Sequence, residues 1–108
     1  MALSELIQRE DRKIPPEVRR IIENLGEPSK RGITLILAEN KELSFKKLLS
    51  EVRPMNPSTL NHHLKDLMKA GLVENFYRKK QESSGEYSFY KASALAVDFL
   101  KMIGARLD

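Results

Sequence analysis

Hydrogen-bonding side chains are concentrated in residues 56–73, which read NPSTLNHHLKDLMKAGLV. At the helical period, the apolar residues of this stretch fall on one side and the polar residues on the other. The outward side carries Ser58, Thr59, His62, Lys65, Asp66 and Lys69, its two borders carry Asn61 and His63, and Asn56 stands at its N-terminal end. Hydroxyl, amide and imidazole groups near a helix N-terminus, followed by lysines, can bind base edges and phosphates in a DNA major groove. A solvated helix face without a partner has a similar composition, so this stretch alone leaves both interpretations open.

The same stretch carries signals for both ends of a helix. Asn56 can accept a hydrogen bond from an unpaired backbone N–H, and Pro57 suits the first helical position. Gly71 can adopt the left-handed conformation that closes a helix, with Leu72 making the hydrophobic contact of a Schellman motif. Four apolar residues at helical spacing face a core, namely Leu60, Leu64, Leu67 and Met68. The sequence therefore predicts one helix over 56–70.

The composition indicates one globular domain over residues 1–108. Hydrophobic residues make up 41% of the chain and charged residues 31%, which is not the composition of a disordered or membrane-embedded protein. No secretory signal and no membrane-spanning run is visible, so we expect a cytoplasmic protein without a membrane partner. The absence of cysteine excludes disulfides and thiolate chemistry. The net charge of +4 favours an anionic partner.

Three further helices are expected before this stretch. Residues 1–14 form an amphipathic helix or arm, and residues 16–25 form a helix closed by Gly26. Its apolar stripe, expected to pack on the core, consists of Val18, Ile21, Ile22 and Leu25. The next helix runs through Arg31 to Glu39, and Gly32 either precedes its start or marks a close neighbour.

The helix expected over 45–52 is capped by Ser44 and joined to 56–70 by a short turn. Together the two helices form a helix-turn-helix pattern.

A β-hairpin should follow the helix-turn-helix. Residues 72–78 and 86–91 are rich in β-formers, and the polar, glycine-containing segment between them suits an exposed hairpin tip. Basic residues at its root, Arg78, Lys79 and Lys80, can lie along a phosphate backbone or can serve to solubilise the loop.

The last predicted helix, 93–107, is more apolar than one core stripe requires. A large exposed apolar patch is rare on a monomer, so we expect a homodimer in which both terminal helices take part. The residues expected in that interface are Leu3, Leu6, Ile7, Leu95, Phe99, Met102 and Ile103. The N-terminal segment could instead lie in the groove of its own chain.

Residues 28–91 resemble the winged-helix repressors of the arsenical-resistance (ArsR) family and similar archaeal regulators. The resemblance rests on STLNHHLKDLMKAGLV, and Leu43-Ser44-Phe45 and Leu48, at the start of and within the preceding helix, align without gaps. It implies an α+β winged-helix fold that is mainly α, with a two-stranded β wing and terminal helices for dimerisation. It also implies that Asn61, His62 and His63 approach DNA and that Tyr90 is the recurrent tyrosine of the wing.

The resemblance does not extend to metal sensing. The helix over 45–52 has no cysteine and the terminal helix has no histidine, whereas the metal sensors of the family hold ligands there. His62 and His63 are adjacent and about 100° apart on a helix, so they diverge. No metal, cofactor or effector site is therefore identified, and neither is the glycine loop or nucleophile–base pair of an enzyme.

Taken together, the sequence predicts sequence-specific binding of double-stranded DNA by a homodimeric transcriptional regulator. The helix over 56–70 would enter the major groove, and the wing over 78–86 would contact the backbone. The alternative is a winged helix that serves as a protein–protein interaction module. A positive surface formed by Lys65, Lys69 and Lys79 would favour DNA, whereas acidic interruption by Asp66, Glu74 and Glu82 would favour a protein partner.

Overall fold

The computed structural model describes residues 13–79 and 86–107. The predicted N-terminal helix or arm and the hairpin tip lie almost wholly outside these ranges. In chain order the elements are α1 (Pro16–Gly26), α2 (Pro28–Glu39), β1 (Leu43–Ser44), α3 (Phe45–Glu51), α4 (Pro57–Lys69), β2 (Val73–Lys79), β3 (Glu86–Ala92) and α5 (Ala94–Met102). This order confirms the predicted α+β winged-helix class. In the part of the chain that the structure describes, no helix is long and apolar enough to span a membrane.

The sheet has three antiparallel strands in the order β1-β3-β2. The predicted hairpin is confirmed, since β2 and β3 pair without interruption from Val73 with Ala92 to Lys79 with Glu86. The short extended piece β1 adds to the other side of β3, with Leu43 opposite Tyr90. A strand of two residues has no alternating pattern of its own, so the sequence did not predict that pairing.

Local signals set both ends of α4 as predicted. The side-chain oxygen of Asn56 accepts a hydrogen bond from the backbone N–H of Thr59 at 2.8 Å. Gly71 has a φ of +75°, and its N–H donates to the carbonyl of Met68, while the N–H of Leu72 donates to that of Leu67. These two bonds are the Schellman motif, which satisfies carbonyls that the end of the helix leaves unpaired.

Both interpretations of Gly32 are wrong. Helix α2 begins at Pro28, because Glu27 caps it by accepting from the N–H of Ser29 at 3.2 Å and proline suits the first helical position. Gly32 thus lies inside the helix. A Cβ built there would meet no atom within 4 Å among its described surroundings, so no close neighbour explains the glycine either.

Two predicted helix ends also differ from the structure. Gly26 is the last residue of α1 rather than a left-handed residue beyond it, and Glu27 is extended because Pro28 follows. Helix α5 ends at Met102 rather than at Leu107. Gly104, with a φ of +98°, closes it by a second Schellman motif in which Ala105 N–H donates to the Leu100 carbonyl.

The core lies where α4 meets the other helices and the base of the sheet. Its buried hydrophobic residues are Ile21, Leu25, Ile33, Leu37, Leu48, Leu60, Leu64, Leu67, Leu72, Val73, Ala96 and Leu100. Three of the four α4 residues predicted to face the core are completely buried, and Met68 packs against them while partly exposed. One face of α4 is therefore fixed, and its opposite face must point outward.

Two glycine-to-alanine substitutions should change stability in opposite directions. Gly32→Ala should stabilise the fold by roughly 0.5–1 kcal/mol, because the site is helical and has room for the methyl group. Gly71→Ala should destabilise it by roughly 1–2 kcal/mol, because alanine disfavours a positive φ. Urea unfolding followed by circular dichroism measures both. A shift of the same sign in the two variants would contradict the assigned backbone conformations.

Candidate nucleic-acid interface

The outward face of α4 offers an array of polar groups to a partner. Its exposed polar residues are Ser58, Thr59, Asn61, His62, Lys65 and Lys69. Within the described part of the chain, only His62 among their side chains lies close to a carboxylate, and none makes a hydrogen bond. Five side chains are thus available to an external partner. Asn56 is also exposed, but its oxygen caps the helix, which leaves its NH₂ group free to donate.

The two adjacent histidines diverge, as predicted, and only one lies on the outward face. The His62 side chain is 73% exposed, and its Nε2 lies 3.5 Å from Asp66 Oδ2. The His63 side chain is 16% exposed and faces inward, with Nδ1 3.9 Å from Oε2 of Glu27, the residue that caps α2. His63 therefore supports the junction of α4 with α2, and its predicted contact with DNA does not fit this position.

No described group of side chains matches a metal site. Across residues 13–79 and 86–107, three or more histidine, cysteine, aspartate or glutamate side chains do not come together in a way that could hold an ion.

The one acidic residue of α4 is neutralised by a neighbouring helix. Asp66 Oδ2 lies 3.0 Å from the Nζ of Lys30 on α2. The hydrogen bond from Lys30 holds the pKa of Asp66 below its ordinary value, and the charges of Lys30, His62 and Lys69 act in the same direction against the effect of desolvation. Asp66 consequently stays ionised near neutral pH, and its charge is compensated within the protein.

The hairpin carries the predicted basic residues to the far end of β2. The backbone pairs Arg78 with Tyr87 and Lys79 with Glu86, next to the tip. Lys80 lies outside the described residues. Nearer the core, Glu74 is 3.4 Å from Lys91, whose Nζ also lies 5.6 Å from the centre of the Phe76 ring. The Glu74 carboxylate, expected to interrupt a positive surface, is therefore paired.

Sequence reasoning missed two lysines on α3. Lys46 and Lys47 are exposed, and with Ser44 and Ser50 they line an open cleft of about 270 Å³. Ammonium and hydroxyl groups are common phosphate ligands in protein–DNA complexes. The signal was available as a basic pair in the first turn of the helix that precedes α4.

An apolar surface is formed by α1 and α5. Met102 is 78% exposed, Ile103 60% and Leu95 45%, while Phe99 is half-buried. A groove of about 200 Å³ between the two helices is lined by Ile22, Leu25, Gly26, Phe99 and Ile103. The prediction that Ile22 packs on the core is wrong, since it is 48% exposed. The predicted interface residues Leu3, Leu6 and Ile7 lie outside the described ranges.

These features define the class of protein. The helix-turn-helix formed by α3 and α4 is followed by a wing of two strands, β2 and β3. The short strand β1, directly before α3, completes the sheet, and this arrangement is a winged helix-turn-helix. In this architecture the second helix of the pair is the one that reads DNA.

Comparison with known proteins identifies the family. The model of the family described as "Bacterial regulatory protein, arsR family" matches residues 27–75. The chain is also 34% identical to the uncharacterized HTH-type transcriptional regulator MJ1325 of Methanocaldococcus jannaschii over 70 residues, which are 65% of this chain and 71% of that protein. The chain belongs to the arsR family of helix-turn-helix transcriptional regulators, a family of DNA-binding proteins rather than enzymes.

Solved structures share the fold. A transcriptional regulator homologue from Pyrococcus horikoshii OT3 superposes with a TM-score of 0.63 at 20% identity, covering 82% of this chain and 86% of its own. The ArsR family transcriptional regulator RHA00566 superposes with a TM-score of 0.61 at 13% identity. The superposition covers 83% of this chain and 84% of the RHA00566 chain.

The Asp66–Lys30 pair predicts a pH dependence of stability. The folded pKa of Asp66 lies below its ordinary value of 3.8, so its contribution is fully present above that value and is lost as the pH falls through the folded pKa. Asp66→Asn should therefore destabilise the fold at neutral pH, and its difference from the unmodified protein should shrink in acid. Urea unfolding at a series of pH values measures this. Asp98→Asn, at an exposed carboxyl on α5, is the control, and a pH-independent effect of Asp66→Asn would contradict the assignment.

Proposed function

We propose that this chain is a sequence-specific transcriptional regulator that binds double-stranded DNA as a homodimer. The α4 helices of two subunits enter successive major grooves, and the wings over 78–86 contact the flanking backbone. The observation that carries this proposal is the outward face of α4. It presents unpaired hydrogen-bonding groups and lysines, and its one acidic residue, Asp66, is neutralised by Lys30 of the same chain.

Base recognition is assigned to the N-terminal half of that face. Ser58, Thr59, Asn61 and His62 are short or planar side chains that can donate to or accept from base edges, and asparagine can bind adenine through two hydrogen bonds. Their backbone is held by a side-chain cap at Asn56 and by the buried leucines on the opposite face. A rigid helix of this kind presents its side chains at a fixed depth in the groove.

Phosphate contacts are assigned to the lysines around it. Lys65 and Lys69 extend the outward face of α4, and Lys46 and Lys47 lie on α3, the helix that crosses the backbone in this motif. The basic residues at the root of the hairpin, Arg78, Lys79 and Lys80, are proposed to follow the backbone of the flanking DNA.

The protein–protein alternative is less well supported by the charges. A protein partner would be favoured if acidic residues interrupted the positive surface. Asp66 is paired with Lys30, and Glu74 is paired with Lys91. Neither carboxylate presents a free negative charge to a partner, and Glu82 lies outside the described residues. The surface that remains favours a polyanion.

Dimerisation is proposed through the apolar surface of α1 and α5. Ile22, Leu95, Met102 and Ile103 are exposed together with a groove beside half-buried Phe99. An apolar surface of this kind on a small regulator is usually covered by another subunit. The same residues on two copies can meet about a two-fold axis, which is the symmetry that matches two half-sites on DNA.

Base recognition by α4 predicts a selective loss of specific binding. A preferred duplex is first selected from a random-sequence pool, and affinities for it and for a mixed-sequence duplex are then measured by fluorescence anisotropy at several salt concentrations. Asn61→Ala or His62→Ala should weaken binding to the selected duplex by roughly 5- to 150-fold and binding to the mixed duplex much less, because base contacts carry the specificity.

Lys101→Ala, on α5, is the control for the loss of an exposed side chain outside the proposed interface, and it should leave both affinities unchanged. Equal losses on both duplexes would remove Asn61 and His62 as base-reading residues. No saturable binding by the unmodified protein at low salt would overturn the DNA proposal as a whole.

The dimer proposal predicts an oligomeric mass that depends on α5. Light scattering should give the mass of two 12.4 kDa chains for the unmodified protein. Met102→Glu combined with Ile103→Glu should give that of one chain, because charges cannot be buried unpaired in an apolar interface. Lys101→Glu, on the same helix, is the matched control and should remain dimeric. A monomeric unmodified protein would contradict the proposal and would favour cover of the groove by residues 1–12.

A further inference from the structure

A polar cleft of about 480 Å³ lies where α1, α2 and α4 meet. It is lined by Arg20, Glu23 and Asn24 from α1, Lys30 from α2, and Asp66 and Lys69 from α4. Its size falls in the range of small-molecule sites in proteins. Three helices contribute to its walls, and it adjoins the outward face of α4, with which it shares Lys69.

One residue of the cleft wall, Asn24, has a buried hydrogen-bond acceptor without a partner among the described residues. Asn24 is only 8% exposed. Its Nδ2 donates to the carbonyl of Arg20 at 2.7 Å, which fixes the orientation of the amide because only the nitrogen can donate. Its Oδ1 then has no hydrogen-bond partner among the described residues. Buried polar atoms are satisfied in the great majority of cases, so this oxygen points to a donor group supplied by a ligand.

Some of the charged groups around this acceptor are paired with each other, and others are available to a ligand. Lys30 and Asp66 neutralise each other at 3.0 Å. Arg20 reaches across the cleft, and within the described part of the chain its guanidinium donates one long hydrogen bond, 3.5 Å to the carbonyl oxygen of Lys69. A guanidinium has five N–H groups, so most of its donor capacity is unused. The Lys69 ammonium is exposed beside it, and Glu23 provides the one remaining carboxylate.

We propose that this cleft binds a small carboxylate that also carries an amino or hydroxyl group, such as an amino acid or a hydroxy acid. The planar guanidinium of Arg20 binds the carboxylate through two parallel hydrogen bonds, and Lys69 adds a second positive charge. The amino or hydroxyl group donates to Asn24 Oδ1, and Glu23 can accept from the same group.

A DNA phosphate fits this cleft less well. The carboxylate of Glu23, which no lysine among the described residues neutralises, lines it, and like charges at an interface disfavour a polyanion. A small molecule with one anionic group and one donor group can bind both the basic residues and the acceptor residues of the cleft. The ligand site does not depend on the proposed binding of DNA, so the failure of one proposal leaves the other standing.

The test is thermal unfolding of the full chain in the presence of the standard amino acids and of lactate, malate and citrate, each at about 10 mM. At least one compound should raise Tm by about 4 °C or more, because a ligand that binds only the folded state stabilises it. Isothermal titration calorimetry then gives the affinity of that compound for the unmodified protein and for variants.

Two variants locate the binding. Asn24→Leu removes the acceptor with little change in size and favours the helix, and Arg20→Gln removes the guanidinium. Each should weaken binding of the active compound by about 10-fold or more. Arg106→Gln, at an exposed arginine outside the cleft, should leave the affinity unchanged.

The proposal is overturned if no compound of the panel raises Tm, or if both cleft variants bind the active compound as tightly as the unmodified protein. It is also overturned if no compound binds and Arg20→Gln lowers the salt dependence of DNA binding, since the cleft would then hold a backbone phosphate.

Discussion

Burial of one face of α4 is the constraint on which the rest of this structure depends. Leu60, Leu64 and Leu67 are completely buried, and burial of each such side chain is worth roughly 1.5–3 kcal/mol. Rotating the helix by one residue, about 100°, would expose a leucine and bury a polar side chain. The core therefore fixes the rotation of α4, and with it the side chains that face a partner. Hydrophobic packing in this way determines the geometry of the proposed recognition surface.

The junction of α4 with α1 and α2 is polar, in contrast to the leucine face. Lys30 neutralises Asp66 there, His63 turns toward Glu27, and the Arg20 guanidinium donates to the carbonyl of Lys69, the last residue of α4. These contacts remove the one negative charge from the outward face and leave the cationic and hydrogen-bonding groups in place. The same junction contains the cleft with the unpaired oxygen of Asn24. One helix thus has an apolar face for the core, an outward face that is proposed to bind DNA, and a polar side at a proposed ligand site.

The ends of α4 were predictable from its capping signals, whereas the end of α5 was misjudged because an apolar pattern continued past its stop signal. Asn56 and Gly71 delimit α4 as expected, because the hydrogen bonds of a cap join residues only a few positions apart. Gly104 is an equally clear stop signal for α5. The apolar residues Ala105 and Leu107 beyond it resembled a continuing helix, although both pack against the core outside the helix. Likewise, the four apolar residues of α1 suggested one core stripe, whereas Ile22 lies at its exposed border.

The sequence by itself determined the element order, the hairpin, the polar outward face of α4 and the resemblance to the family. These follow from caps, turn residues and periodicity, all of which act within one or two helical turns or one hairpin. Only the tertiary structure decided that β1 joins β3, that His63 faces Glu27, that Lys30 neutralises Asp66 and that Asn24 is buried with an unpaired acceptor. Each of these depends on the docking of elements distant in the chain. No local pattern encodes which charged or polar side chains such docking brings within hydrogen-bonding distance.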